Sequence, residues 1–125
     1  MTTAAINPRI DPTAVLATAA LRAAELLGLN QQKLGTILGL SAPTVSRLAS
    51  GTYVLDESRK EWELATLFVR LFRSLDALVG SNDAAARTWL NGENLGLGGK
   101  PIELIRTAEG LVRAVHYLDA ARGRV

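Results

Sequence analysis

Few side chains in this chain are suited to covalent or acid–base chemistry. There is no cysteine and only one histidine, His116, which excludes thiol nucleophiles, disulfide frameworks and Cys-based zinc sites together. No paired carboxylate stands at ligand spacing from His116, and acids such as Glu61 and Glu63 sit beside basic residues as on a solvated helix face. The glycine-rich stretch Asn91 to Lys100 has neither a Walker pattern nor a preceding strand, so it is no phosphate-binding loop. The sequence therefore predicts no enzyme, no cofactor and no metal. What remains is hydrogen bonding and charge, concentrated between Gln31 and Ser50. There Gln31, Gln32, Lys33, Ser41, Thr44, Ser46 and Arg47 offer the amides, hydroxyls and cations that suit phosphate oxygens and base edges of DNA.

Such groups read DNA only if short helices hold them at a fixed angle, and the intervening residues fit that demand. In QQKLGTILGLSAPTVSRLAS, Leu34 and Leu38 give a first helix its inner face. Gly35 sits where only a small residue fits, and Gly39 fills the turn, where positive φ is easily reached. Leu40 plugs the turn, and Val45 and Leu48 form the inner face of a second helix. This is the constraint pattern of a helix-turn-helix, and it leaves Ala42, Pro43, Thr44, Ser46 and Arg47 outward on the second helix. Gln31, Gln32 and Ser41, near the helix N-termini, are placed to hold phosphates. Arg47 suits either a bidentate guanine contact or a phosphate clamp. Charge agrees: from Pro12 to Leu55 the cations Arg22, Lys33 and Arg47 face Glu25 alone among the acids.

The rest of the chain supplies helices and little else. Asp11 caps a helix opened by Pro12 that runs to about Leu27 and ends at Gly28. The next two helices are expected over Gln31 to Leu38 and, from the cap Ser41, to about Ser50. Thr52 to Asp56 is a connector, and the longest helix is expected from Glu57 to Val79. Its broad stripe of Leu64, Phe68, Leu71, Phe72, Leu75, Leu78 and Val79, widened by Ala65, Leu67 and Val69, predicts self-association as a homodimer, because so short a chain has little with which to cover it. A short helix follows from Asp83 to Leu90, then the loop, a helical turn at Pro101, and a last helix capped by Thr107 and reaching about Arg122. Gly110 inside it implies close backbone packing. No alternation argues for a strand. The fold class is all-α: a tail over 1–10, a helix-turn-helix unit over 11–52, a connecting and dimerisation helix over 53–80, and a C-terminal helical unit over 81–125.

Composition sets wider bounds. Of 125 residues 48% are hydrophobic, too apolar for a disordered chain and enough to fold without staples. The absence of a secretory leader pattern and of any long apolar span leads to the expectation of a cytoplasmic protein with no membrane partner. A formal net charge of +2 is compatible with a nucleic-acid partner.

Residues 31–50 resemble the DNA-binding domains of the Xre family, phage-repressor-like proteins whose second motif helix enters the major groove. The C-terminal half resembles the toxin-binding domain of the Xre/MbcA/ParS antitoxins through Trp89-Leu90, Leu97-Gly98-Gly99, Pro101, Leu104-Ile105, Thr107 and Glu109-Gly110. It departs from that pattern where a proline commonly follows Trp-Leu, since Asn91-Gly92-Glu93-Asn94 stands there instead. The resemblance implies a type II antitoxin of bacteria that blocks the active site of a cognate toxin, usually a RES-domain protein that destroys NAD, and represses their operon at a palindromic operator. It also implies a homodimer that assembles with toxin into a larger hetero-oligomer. The toxin-binding residues expected on this basis are Trp89 (which by itself reads as a core side chain), the apolar face Leu111, Val115 and Leu118, and the cationic tail with Arg122, Arg124 and Val125. The competing expectation is a free-standing Xre-type regulator whose C-terminal half serves only dimerisation.

Overall fold

The computed structural model describes residues 10–123, and among these every regular element is helical. Helix α1 spans Pro12–Leu27, α2 Gln31–Leu38, α3 Ala42–Ser50, α4 Lys60–Leu78, α5 Asp83–Asn91, α6 Pro101–Leu104 and α7 Ala108–Gly123. The ends follow local chemistry. Asp11, Asn30, Ser41 and Asn82 each accept a backbone amide hydrogen bond as N-caps of α1, α2, α3 and α5, and Thr107 Oγ1 accepts the Gly110 amide at 3.0 Å to cap α7. Left-handed Gly28, Gly39 and Gly51 close the first three helices.

Helix α4 begins at Lys60, three residues beyond the expected Glu57. The reason lies in Asp56, whose Oδ1 accepts from the Ser58 amide at 2.9 Å and the Ser58 hydroxyl at 2.7 Å. That side-chain turn competes with the helix and holds Glu57 to Arg59 outside it. Glu61, buried in the first turn, then ties the connector down, accepting from the Tyr53 hydroxyl at 2.6 Å and the Asp56 amide at 3.0 Å. The same hydrogen bond to Glu61 raises the Tyr53 pKa above its ordinary value.

The core is built around α4. One side of it packs on α7, the other on α1 and α2. Ala65, Phe68, Leu71 and Leu75 are wholly buried, facing Leu111, Val115 and Leu118 of α7 and the small residues Ala20, Ala23 and Ala24 of α1 in one continuous cluster. The alanines let α1 approach closely. The stripe that predicted self-association is therefore covered largely within the chain. Of its members Leu78 alone is a well-exposed large side chain, at 42%. The sequence periodicity located the apolar face correctly, but the argument from it to a dimer does not hold, because α7 and α1 supply the missing partners. A polar lock fastens α4 to α7: Asp119 accepts from Ser74 Oγ at 2.6 Å and Arg70 Nη2 at 2.6 Å, with Arg122 at 3.9 Å. These bonds, the Ser74 hydroxyl first, hold the Asp119 carboxyl below its ordinary pKa. Among the described residues no helix is long and apolar enough to cross a membrane.

Candidate functional site

Two surfaces carry the residues singled out from the sequence. The first is built by α2 and α3. Leu34, Ile37 and Leu38 of α2 and Val45 and Leu48 of α3 are buried against each other and the core. A Cβ on Gly35 would lie 2.3 Å from the Leu40 carbonyl oxygen and 3.4 Å from Val45 Cγ2, so this position brings α2 against the turn as the motif requires. Hydrophobic positions thus set the rotation of α3. They leave Pro43, Ser46 and Arg47 exposed and Ala42 and Thr44 half-buried, a narrower outward face than the five residues expected.

The exposed groups are ordered before any ligand arrives. The Ser41 and Thr44 hydroxyls share a hydrogen bond of 2.8 Å, and Arg47 Nη2 donates to Thr44 Oγ1 at 3.2 Å. Ser41 Oγ also takes the Thr44 amide at 3.2 Å. Thr44 therefore steers Arg47 along the helix rather than facing a ligand freely. The Arg47 carbonyl meanwhile accepts from the Thr52 and Tyr53 amides at 2.9 and 3.2 Å, which fixes the end of α3. Gln31, Gln32 and Lys33 are exposed on the first turn of α2, where helix amides have no intrahelical partner. A row of amide, hydroxyl and guanidinium groups on a rigid frame, with Glu25 bound to Arg22 and Glu103 the one acid lining the cleft beside Gln32 and Lys33, suits an anionic polymer with polar edges.

The second surface lies on α5, the 91–100 loop and α7. Asn94 organises the loop: its amide donates to the Gly99 carbonyl at 3.0 Å, its own carbonyl accepts from Gly98 at 2.9 Å, and its Oδ1 accepts from Leu97 at 3.0 Å. The departing segment noted in the sequence thus supplies the residue on which the loop turns. Arg113 Nη2 of α7 donates to the Leu97 carbonyl at 3.0 Å, and Gly96 lies against the Tyr117 ring, so close that a Cβ there would stand 2.7 Å from it. Leu97 is buried. Leu95 is 99% exposed. A large aliphatic side chain is thus displayed whole from a pinned loop whose Gly96 lies on Tyr117, and the rings of Tyr117 and the half-buried Trp89 are 6.4 Å apart and tilted by 33°. Gly110 locks the base of this surface, since a Cβ there would sit 1.8 Å from the Leu104 carbonyl oxygen.

The expected toxin-contact residues fare unevenly. Trp89 lies at this surface. Leu111, Val115 and Leu118 have no exposed area; they are the inner face of α7 and hold it to α4, so they position the surface and are corrected from contact residues to core. Arg122 is exposed at the end of α7, while Arg124 and Val125 lie outside the described residues. Leu95 and Asn94 were missed. The signal for Leu95 was a leucine between asparagine and glycine in a loop, where nothing in the sequence offers to bury it.

Comparison with known proteins adds to this geometry. Residues 8–70 match the antitoxin Xre-like helix-turn-helix domain, and residues 74–124 match the antitoxin Xre/MbcA/ParS C-terminal toxin-binding domain. A chain in the crystal structure of the M. tuberculosis MbcT–MbcA toxin–antitoxin complex is similar to this one, with a TM-score of 0.67 and 27% sequence identity, over 89% of this chain and 96% of that one. No curated protein sequence matches.

Proposed function

Since the chain belongs to the Xre/MbcA/ParS family of antitoxins, we propose that it neutralises a cognate toxin through the surface around Leu95 and represses their shared operon through α3. The observation that carries this reading is Leu95, fully exposed on a loop fastened by Asn94 and Arg113, within the segment that matches the toxin-binding domain. A rigid apolar anchor loses little freedom on binding, so most of its burial becomes affinity. The toxin partner we propose is of the RES class, which consumes NAD, and its neutralisation is steric. Arg122, and Arg124 beyond it, fit a role at the site for the dinucleotide's pyrophosphate, because guanidinium matches phosphate geometry. This chain itself performs no catalytic step.

On DNA, α3 enters the major groove, with Arg47 reaching base edges or phosphate and Ser46 beside it, while Gln31, Gln32, Lys33 and Ser41 hold the backbone. A palindromic operator needs two copies of α3, hence a dimer, which binds toxin as a larger hetero-oligomer. With the α4 stripe largely covered, an apolar surface that suits that contact is the groove between α1 and α4, lined by Ile10, Val15, Leu16 and Trp62. Footprinting on the region upstream of the chain's own gene tests the repressor half of the reading. Protection of two half-sites about one helical turn apart is expected; no protection by the chain, alone or with toxin, would overturn it.

A further inference from the structure

A cleft of ≈ 420 Å³ separates α2 from the C-terminal helices. Gln32 and Lys33 line it from α2, and Asn91 and Arg106 from the other wall. The same Gln32 and Lys33 belong to the first turn of α2, the part of the motif placed to hold phosphates. Arg106 comes to that turn from the segment matched as toxin-binding. Ion pairs among the described residues join Arg22 to Glu25, Arg59 to Glu61, and Arg70 and Arg122 to Asp119; none engages Lys33 or Arg106. Both are exposed, and Glu103 is the one acid lining the cleft, against two cations. A third cation stands nearby: Arg87 Nη1 donates to the Leu26 carbonyl at 3.0 Å, and its Cδ lies 3.2 Å from where a Cβ on Gly28 would be, beside the turn that leads into α2.

We propose that Arg106, across the cleft from Lys33, grips the phosphate backbone of bound DNA next to the phosphates held at the start of α2, so that the C-terminal unit is part of the DNA-binding surface. This rests on the DNA-binding reading above. A strand held at α2 continues past it, and its charges come every 3.4 Å or so of helix axis. The cleft walls present cations and amides, the groups that take backbone oxygens without reading sequence. Arg113 and Arg87 each commit a guanidinium donor to a backbone carbonyl, of Leu97 and Leu26. Arg106 donates no such side-chain bond among the described residues.

The test is a salt series with the full chain on two duplexes of equal length, one carrying the sequence upstream of its own gene and one scrambled. Arg106→Gln is expected to weaken binding to both by about three- to tenfold and to lower the slope of log affinity against log salt by about 0.9, the loss of one phosphate contact. Arg106→Lys is expected to restore most of the slope. If Arg106→Gln fails to fold, Arg106→Ala at the same exposed position is expected to give the same loss. Unchanged affinity and slope in a folded Arg106→Gln, with wild type binding normally, overturns the proposal and leaves the DNA-binding reading standing. So does a loss confined to the upstream duplex, which would mark a base contact. Failure of wild type, alone and with toxin, to bind either duplex overturns both.

Discussion

Replacing Leu95 by alanine separates a contact residue from a structural one. In the free protein its side chain is 99% exposed, so truncation removes no packing and stability is expected to stay within about 0.5 kcal/mol of wild type. Once a partner covers the loop, the same exposure makes nearly the whole side chain available for burial. Burying a leucine contributes about 1.5–3 kcal/mol; alanine keeps only the Cβ, so the expected loss is about 2 kcal/mol, or about 30-fold in toxin affinity. Leu111, with no exposed area, provides the contrast. Leu111→Ala costs about 2–5 kcal/mol of folding stability, and toxin binding falls with the folded fraction. The assay is titration calorimetry against the product of the adjacent gene at fixed salt, with thermal unfolding of each variant alongside. Full toxin affinity in a folded Leu95→Ala protein would refute the idea that the partner covers this loop.

Four further outcomes follow from the same geometry. Arg47→Ala is expected to weaken operator binding by at least about 1 kcal/mol with the melting temperature unchanged, and equal affinity at fixed salt removes Arg47 from the interface. The Asp119 carboxyl has its pKa held below the ordinary 3.8 by Ser74 and then Arg70, so its stabilisation is full above that value and is lost as pH falls through the lower folded value. Asp119→Asn should therefore melt earlier than wild type at neutral pH, by about 1 kcal/mol since Arg70 is half exposed and screened, and the two should converge in acid; parallel pH curves would contradict the lock. Removing Arg122 to Val125 is expected to leave a folded, DNA-binding chain that no longer protects cells, and full protection at matched expression would place neutralisation on the loop alone. Light scattering should report a dimer at micromolar concentration that Val15→Asp turns into a monomer; a wild-type monomer across that range contradicts the α1–α4 groove as an interface.

Local chemistry made most of the helices legible in advance. Asp11, Ser41 and Thr107 cap their helices as the sequence pattern implies, and Gly35 and Gly110 sit at close approaches where a side chain would collide with backbone. These signals work because each depends on a few neighbours in the chain. The start of α4 was misread because apolar periodicity does not register the Asp56–Ser58 turn that delays it. The larger misreadings concern partners distant in sequence. Periodicity finds an apolar face but not what covers it, so α4 looked in need of a second copy and Leu111, Val115 and Leu118 looked available to a toxin, when the two faces cover each other. The glycines around Leu95 mark a loop without indicating which of its leucines is buried. The exposure of Leu95 depends on Asn94, Arg113 and Tyr117 meeting in space, which no local pattern encodes.

The most direct test of the central claim is a growth and NAD measurement in cells carrying the adjacent gene under an inducible promoter, with and without this chain. The account predicts that induction alone depletes NAD and arrests growth, and that co-expression of the chain preserves both through a complex that co-purifies. An adjacent product that leaves growth and NAD untouched, or one that remains toxic while this chain is present, folded and in excess, would contradict it.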